Sequence, residues 1–198
     1  MELGRGYWRR RFYCFAAVPI LCLSQIACGQ AVRPSVSKAQ AMKDVKAPII
    51  AGWHEAISDE GRFRILFPGQ PRADAEVRSM KGFKFFAAEA NWFAYYTDFD
   101  QPRASDDAHL RSAYNDSVED ITKNGKQLLS QKDVFLNGRL GSEFIIEAPG
   151  TVSYMRAYLF GRRMYTLAVD RKRVANGDAT IPNDVQQFFE SFTYWDIS

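Results

Sequence analysis

The chain has 198 residues and a formal net charge of +3. Residues 1–29 contain four arginines and one glutamate, and removing them from the 26 basic and 23 acidic residues leaves 22 of each. The rest of the chain is therefore formally neutral, which argues against a nucleic-acid-binding protein and against a polybasic membrane surface.

The first 29 residues have the order of a secretory signal. Arg5 and Arg9–Arg11 form a basic region, Phe12–Leu23 is an apolar stretch, and small and polar residues follow it. The apolar stretch is too short to span a bilayer comfortably. The sequence therefore predicts an export signal over residues 1–29 and a protein of the periplasm or the cell surface.

Two cleavage sites fit this signal. Ala27 and Gly29 supply the small residues that a simple signal peptidase requires, and cleavage after Gly29 would remove all three cysteines. Alternatively, the segment resembles a bacterial lipoprotein signal in which Cys28 becomes the lipidated first residue, although Gln25 stands where an aliphatic residue is usual. Both alternatives predict a mature domain without an intrachain disulfide. The domain is attached to a membrane only in the second alternative, through the lipid on Cys28.

A flexible tether and one domain are predicted to follow the signal. Residues 30–50 lack a sustained apolar period and contain Pro34, Ser35, Ser37 and Pro48, as a tether would. Residues 51–198, about 148 in number, are enough for a single domain with its own core.

The first part of the domain reads as consecutive strands with short turns. The predicted strands cover residues 53–57, 62–67, 73–80, 83–90 and 92–99. Turns are predicted at Lys81-Gly82 and at Asn91, so that the last two strands, which are rich in aromatic residues, pair as a hairpin.

A helix is predicted to follow these strands, from Ser105 as its N-cap to about Lys123. Asp106 and Asp107 suit its first turn, and Asn124-Gly125 is a typical helix end. Its apolar residues recur with a helical period on one face: Leu110, Ala113, Tyr114, Val118 and Ile121.

The second part of the domain repeats the strand pattern and ends in a second helix. Strands are predicted over residues 126–135, 141–148, 152–160 and 164–170, with tight turns at Asn137-Gly138 and Gly161–Arg163. A helix is predicted near Pro182, with the apolar stripe Val185, Phe188, Phe189 and Phe192. The predicted fold is α+β, a mostly antiparallel sheet covered by two amphipathic helices in two or three layers.

Several of these segments resemble a known fold family. Phe63–Pro71 (FRILFPGQP) looks like the opening strand of many exported bacterial domains, and Gly141–Phe144, Arg156–Leu167 and Phe188–Phe192 look like their closing elements. Together, across residues 53 to 195, they resemble the PsbP-like α/β/α sandwich and small exported lipoproteins of that type. The resemblance implies a non-catalytic accessory or scaffold domain. Plant members assist a photosystem, but nothing in this chain points to photosynthesis.

Motifs for catalysis, cofactors or metals are not found in the sequence. The two histidines, His54 and His109, lack the spacing of a metal-binding pair, and His109 near Asp106 is predicted to be a solvated surface residue. No nucleophile elbow, phosphate loop or dinucleotide fingerprint occurs. The acidic residues Asp98, Asp100, Asp106 and Asp107 lack a calcium-loop pattern and fit helix capping. The sequence therefore predicts no catalytic residue, no cofactor and no metal site.

Charged residues are distributed unevenly along the domain. Residues 98–120 have seven acids against two bases, and residues 156–173 have six bases against one acid. One interpretation is a dipolar surface that orients a partner, and the other is two ordinary solvated faces. The first predicts a partner-binding role for five arginines: Arg156, Arg162, Arg163, Arg171 and Arg173.

Aromatic residues of the predicted hairpin are a second candidate surface. Phe85, Phe86, Trp92, Tyr95 and Tyr96 cannot all lie on one face of a sheet, because strand side chains alternate. Some of them could form a ligand groove or a partner patch, unless a second helix layer covers them.

Three functions follow from these observations. The leading hypothesis is an exported, non-enzymatic domain that binds a protein or an envelope component. The alternative is a carrier that holds a small ligand in an aromatic groove on the sheet. The third is a hydrolase whose site has no recognisable motif, which would need a Ser or Asp converging with His54 or His109.

Overall fold

The computed structural model describes residues 50–77, 80–102, 106–122, 125–173 and 180–195. The predicted export signal, the tether up to residue 49 and Cys28 lie outside the described residues. No helix in the described part of the chain is long and apolar enough to cross a membrane.

Ten strands and two helices are formed within these residues. The first five strands precede α1: β1 (His54–Ser58), β2 (Phe63–Phe67), β3 (Arg72–Val77), β4 (Met80–Phe86) and β5 (Ala90–Asp98). Helix α1 (Asp107–Thr122) comes next. The remaining elements are β6 (Gln127–Leu136), β7 (Arg139–Ala148), β8 (Thr151–Phe160), β9 (Arg163–Lys172), α2 (Asn183–Glu190) and β10 (Thr193–Tyr194).

The strands form two antiparallel sheets. The larger sheet has seven strands in the order β3-β4-β5-β9-β8-β7-β6, and the smaller has three in the order β1-β2-β10. The mostly antiparallel sheet with two helices is therefore confirmed. The sequence did not predict the division into two sheets, because the pairing of β10 with β2 joins residues about 130 positions apart, such as Thr193 and Arg64.

The main core lies between one face of the larger sheet, the smaller sheet and α2. On β5, Trp92, Ala94 and Tyr96 face this core and are at most 4% exposed. Along the strands of the larger sheet, the side chains that point to this face pack against the buried side chains of β2 and the apolar stripe of α2. The predicted stripe of α2 is confirmed for Val185, Phe188 and Phe189, whereas Phe192 is buried but follows the end of the helix.

A second core lies on the opposite face of the larger sheet, under α1. Tyr114 and Val118 of α1 pack against Phe144 and Ile146 of β7 and Leu159 of β8. The Tyr114 hydroxyl accepts a hydrogen bond from the Leu159 amide at 2.9 Å, which fixes the helix to β8. Burial of this phenol raises its pKa to about 12. The layers therefore differ from a simple α/β/α sandwich, because α2 shares its face with the smaller sheet.

Two predicted turns of the aromatic hairpin are wrong. Lys81 and Gly82 lie within β4, and Asn91 lies within β5, while the turn runs through residues 87–89 and is closed by the Ala87 amide and the Ala90 carbonyl at 2.9 Å. Gly82 is a strand residue because the neighbouring backbone is too close for a side chain, as a Cβ would lie 2.0 Å from the Ala94 oxygen.

The ends of α1 follow from side-chain capping and backbone conformation. The predicted N-cap Ser105 lies outside the described residues, and the Asp106 carboxylate accepts the capping hydrogen bond from the His109 amide at 3.0 Å. Beyond the helix, Gly125 has a φ of +80°, the left-handed conformation predicted for its end. The predicted turn at Asn137-Gly138 is confirmed, with positive φ at both residues.

Candidate functional site

One half of a sheet face carries exposed aromatic side chains. Helix α1 packs on β6, β7 and β8, so it covers this face of the sheet on the side away from β4 and β5. Over β4 and β5, the same face presents Lys84, Phe86, Phe93 and Tyr95, here called the aromatic strip. Phe86 is 55% exposed, and the other three are half-buried.

The rings of the aromatic strip contact one another. The Phe93 and Tyr95 rings are stacked at 5.8 Å between centroids, and the Phe86 ring meets Phe93 edge-on at 5.9 Å. The Lys84 ammonium lies 5.6 Å from the centre of the Phe86 ring. These contacts hold the rings in a fixed arrangement on the strands, so the strip is a preformed apolar surface.

The structure separates the aromatic residues that the sequence singled out. Trp92 and Tyr96 belong to the main core, and Phe85 is half-buried against it, whereas Phe86 and Tyr95 lie on the open face. Phe93, which completes the strip, was not predicted. The alternation of β5 from Trp92 could have found it, because residue 93 must lie on the face opposite Trp92.

Among the five arginines, Arg156 lies inside the protein. It is 9% exposed, and its Nε donates to Oε2 of Glu143, which is 2% exposed, at 2.6 Å. The Lys132 ammonium lies 2.8 Å from the other oxygen of Glu143, and the Arg156 guanidinium lies 4.8 Å from the Phe189 ring. Arg156 therefore links β7 and β8 to α2.

Arg162 and Arg163 lie at the turn between β8 and β9. Exposed Arg162 donates to the Phe99 carbonyl at 2.8 Å, and Arg163 donates two hydrogen bonds of 2.6 Å to the Asp98 carboxylate. The hydrogen bonds from Arg163 hold the pKa of Asp98 below its usual range. The acidic and basic segments of the sequence thus contact each other at Asp98.

Arg171 and Arg173 lie at the opposite end of β9. Arg171 forms an ion pair with Asp184 of α2, and Arg173 forms one with Glu147 of β7. Arg171 lies eight positions along the strand from Arg163, which corresponds to roughly 26 Å. The structure does not bring the five arginines together into one patch, and their role in partner binding stays a prediction.

The two histidines are both exposed. His109 Nδ1 lies 2.9 Å from both carboxylate oxygens of Asp106, the residue that also caps α1. Among the described residues, no Ser, Thr or Cys side chain donates to either histidine. The described residues also include no group of three His, Cys, Asp or Glu side chains arranged to hold a metal ion.

A cavity of about 340 Å³ lies at the start of α1, away from the aromatic strip. Its walls come from the first turn of α1 and from the β6–β7 and β8–β9 turns. Asp106, Asp107 and Arg139 give the cavity a polar rim, and the leucines beneath it, Leu140 and Leu159, are at most 5% exposed. The cavity therefore offers little apolar surface to a ligand.

Comparison with solved structures identifies the fold. The chain is similar to the solution structure of cyanobacterial PsbP from Synechocystis, at 10% identity and a TM-score of 0.53 over 74% of this chain and 94% of that chain. It is also similar to the Ran-binding protein Mog1p of Saccharomyces cerevisiae, at 9% identity and a TM-score of 0.48 over 72% and 95%. No protein-family model and no curated protein sequence matches the chain. The predicted PsbP-like fold is confirmed, and identities this low speak for the fold alone.

Proposed function

We propose that this chain is an exported, non-enzymatic accessory domain that binds a protein, and that the aromatic strip is its binding surface. Aromatic side chains that are exposed on the free protein and held by a rigid scaffold are typical of protein-binding surfaces. In the complex, such side chains form the buried centre of the interface. The partner we propose is therefore a protein with an apolar contact surface.

The burial pattern of β5 carries this proposal. Trp92, Ala94 and Tyr96 are buried against the core, whereas the residues between them, Phe93 and Tyr95, remain partly open to solvent. A strand with apolar side chains on both faces is typical of a sheet that is covered on both faces. The described elements cover only one face of β5, so the pattern favours a partner on the other.

The apolar area of the aromatic strip is large enough to contribute to binding. Aromatic side chains bury 150–250 Å² each. Burying the exposed parts of the rings of Phe86, Phe93 and Tyr95 would therefore remove roughly 200 Å² from water. At about 25 cal/mol per Å², this area would stabilise a complex by about 5 kcal/mol before the cost of association is subtracted.

The alternative of a small-ligand carrier needs a concave site at these rings. Phe93 and Tyr95 are instead stacked side by side along one strand, and the polar-rimmed cavity lies elsewhere, at the start of α1. The shape of the strip therefore favours a protein over a small ligand. A hydrolase is less favoured because the contacts of His109 with Asp106 are those of a helix cap.

Export and the possible lipid on Cys28 complete the proposal. The basic and apolar order of residues 1–29 supports export, and the mass of the mature protein from its host tests it. A chain that begins at Gln30 would support simple secretion, a lipidated Cys28 would support a membrane tether, and an intact leader would contradict export.

The binding role is tested by affinity capture from an envelope extract of the host. We expect the wild-type domain to retain a protein that the Phe86→Ser/Tyr95→Ser variant does not retain. Phe135→Ser is the matched control, because Phe135 is 63% exposed but lies on β6, at the far edge of the sheet. Equal capture by all three proteins would contradict the proposal.

A further inference from the structure

We draw no further inference here: the strongest candidate, the open face of β4, β5 and β9 around the aromatic strip, belongs to the binding surface already proposed, and because charges of both signs such as Lys84 and Asp170 border it, nothing in the structure shows which kind of protein covers it.

Discussion

Replacing Arg156 tests whether it is a structural residue or a partner-binding one. In Arg156→Met, Glu143 stays buried at 2% exposure and keeps only Lys132, at 2.8 Å, as a charged partner. Methionine retains most of the alkyl packing, so the variant mainly removes the charge and its hydrogen bonds to Glu143 and Gln186.

The expected loss of stability is large. Removing one partner of a buried ion pair costs about 3–5 kcal/mol, and the remaining contact with Lys132 places this variant near the lower limit, at about 3 kcal/mol. For a domain of this size, that loss lowers the Tm by roughly 6–12 °C. The double variant Glu143→Met/Arg156→Met leaves no buried charge at this position, so it should cost less than the single variant, about 1 kcal/mol.

Urea unfolding of the wild type, Arg156→Met, Glu143→Met and the double variant measures the coupling energy between Arg156 and Glu143. Arg162→Met is the matched control, because Arg162 is an exposed arginine with one hydrogen bond to a backbone carbonyl, and it should change stability by less than about 0.5 kcal/mol. If Arg156→Met costs no more than Arg162→Met, or if the double variant is the least stable, the assignment of Arg156 to the interior is refuted.

Three further predictions concern the fold. Phe188→Ala should lower the free energy of unfolding by about 3–5 kcal/mol in urea titrations, because the ring is fully buried. Gly82→Ala should cost about 1–3 kcal/mol by the same assay, since its Cβ would lie 2.0 Å from the Ala94 oxygen, and an unchanged midpoint would contradict this geometry. Arg163 lowers the pKa of Asp98, so the ion pair stabilises the fold above pH 4 and this contribution is lost as the pH falls through the lowered pKa. The stability difference between wild type and Asp98→Asn should therefore be larger at pH 7 than at pH 3.

Local pattern was sufficient to predict most secondary structure and the buried face of α2. The stripe of α2 and the alternation along β5 depend only on side-chain spacing, and the structure shows Val185, Phe188 and Phe189 buried and β5 alternating. The prediction of a turn at Lys81-Gly82 is wrong because glycine is also favoured where strands approach closely, as β5 approaches Gly82. Sequence spacing gives no information on such an approach.

The candidate site was predictable only in part. The alternation rule shows that the aromatic residues of β5 lie on two faces, but it does not show which face is covered. That depends on where α1 packs, which is set by long-range contacts such as Tyr114 with Leu159. The same is true of the arginines, because burial of Arg156 depends on Glu143 in the neighbouring strand.

The most direct test of the central claim, that the aromatic strip binds a protein, is site-specific photocrosslinking. A benzophenone amino acid replaces Phe86 in the full chain, which is expressed in its host and illuminated, and the adducts are identified by mass spectrometry. The same substitution at Phe135, which is more exposed but lies on β6, is the control. We predict a discrete protein adduct at position 86 that is absent at position 135. No adduct at position 86, or the same adducts at both positions, would contradict the claim.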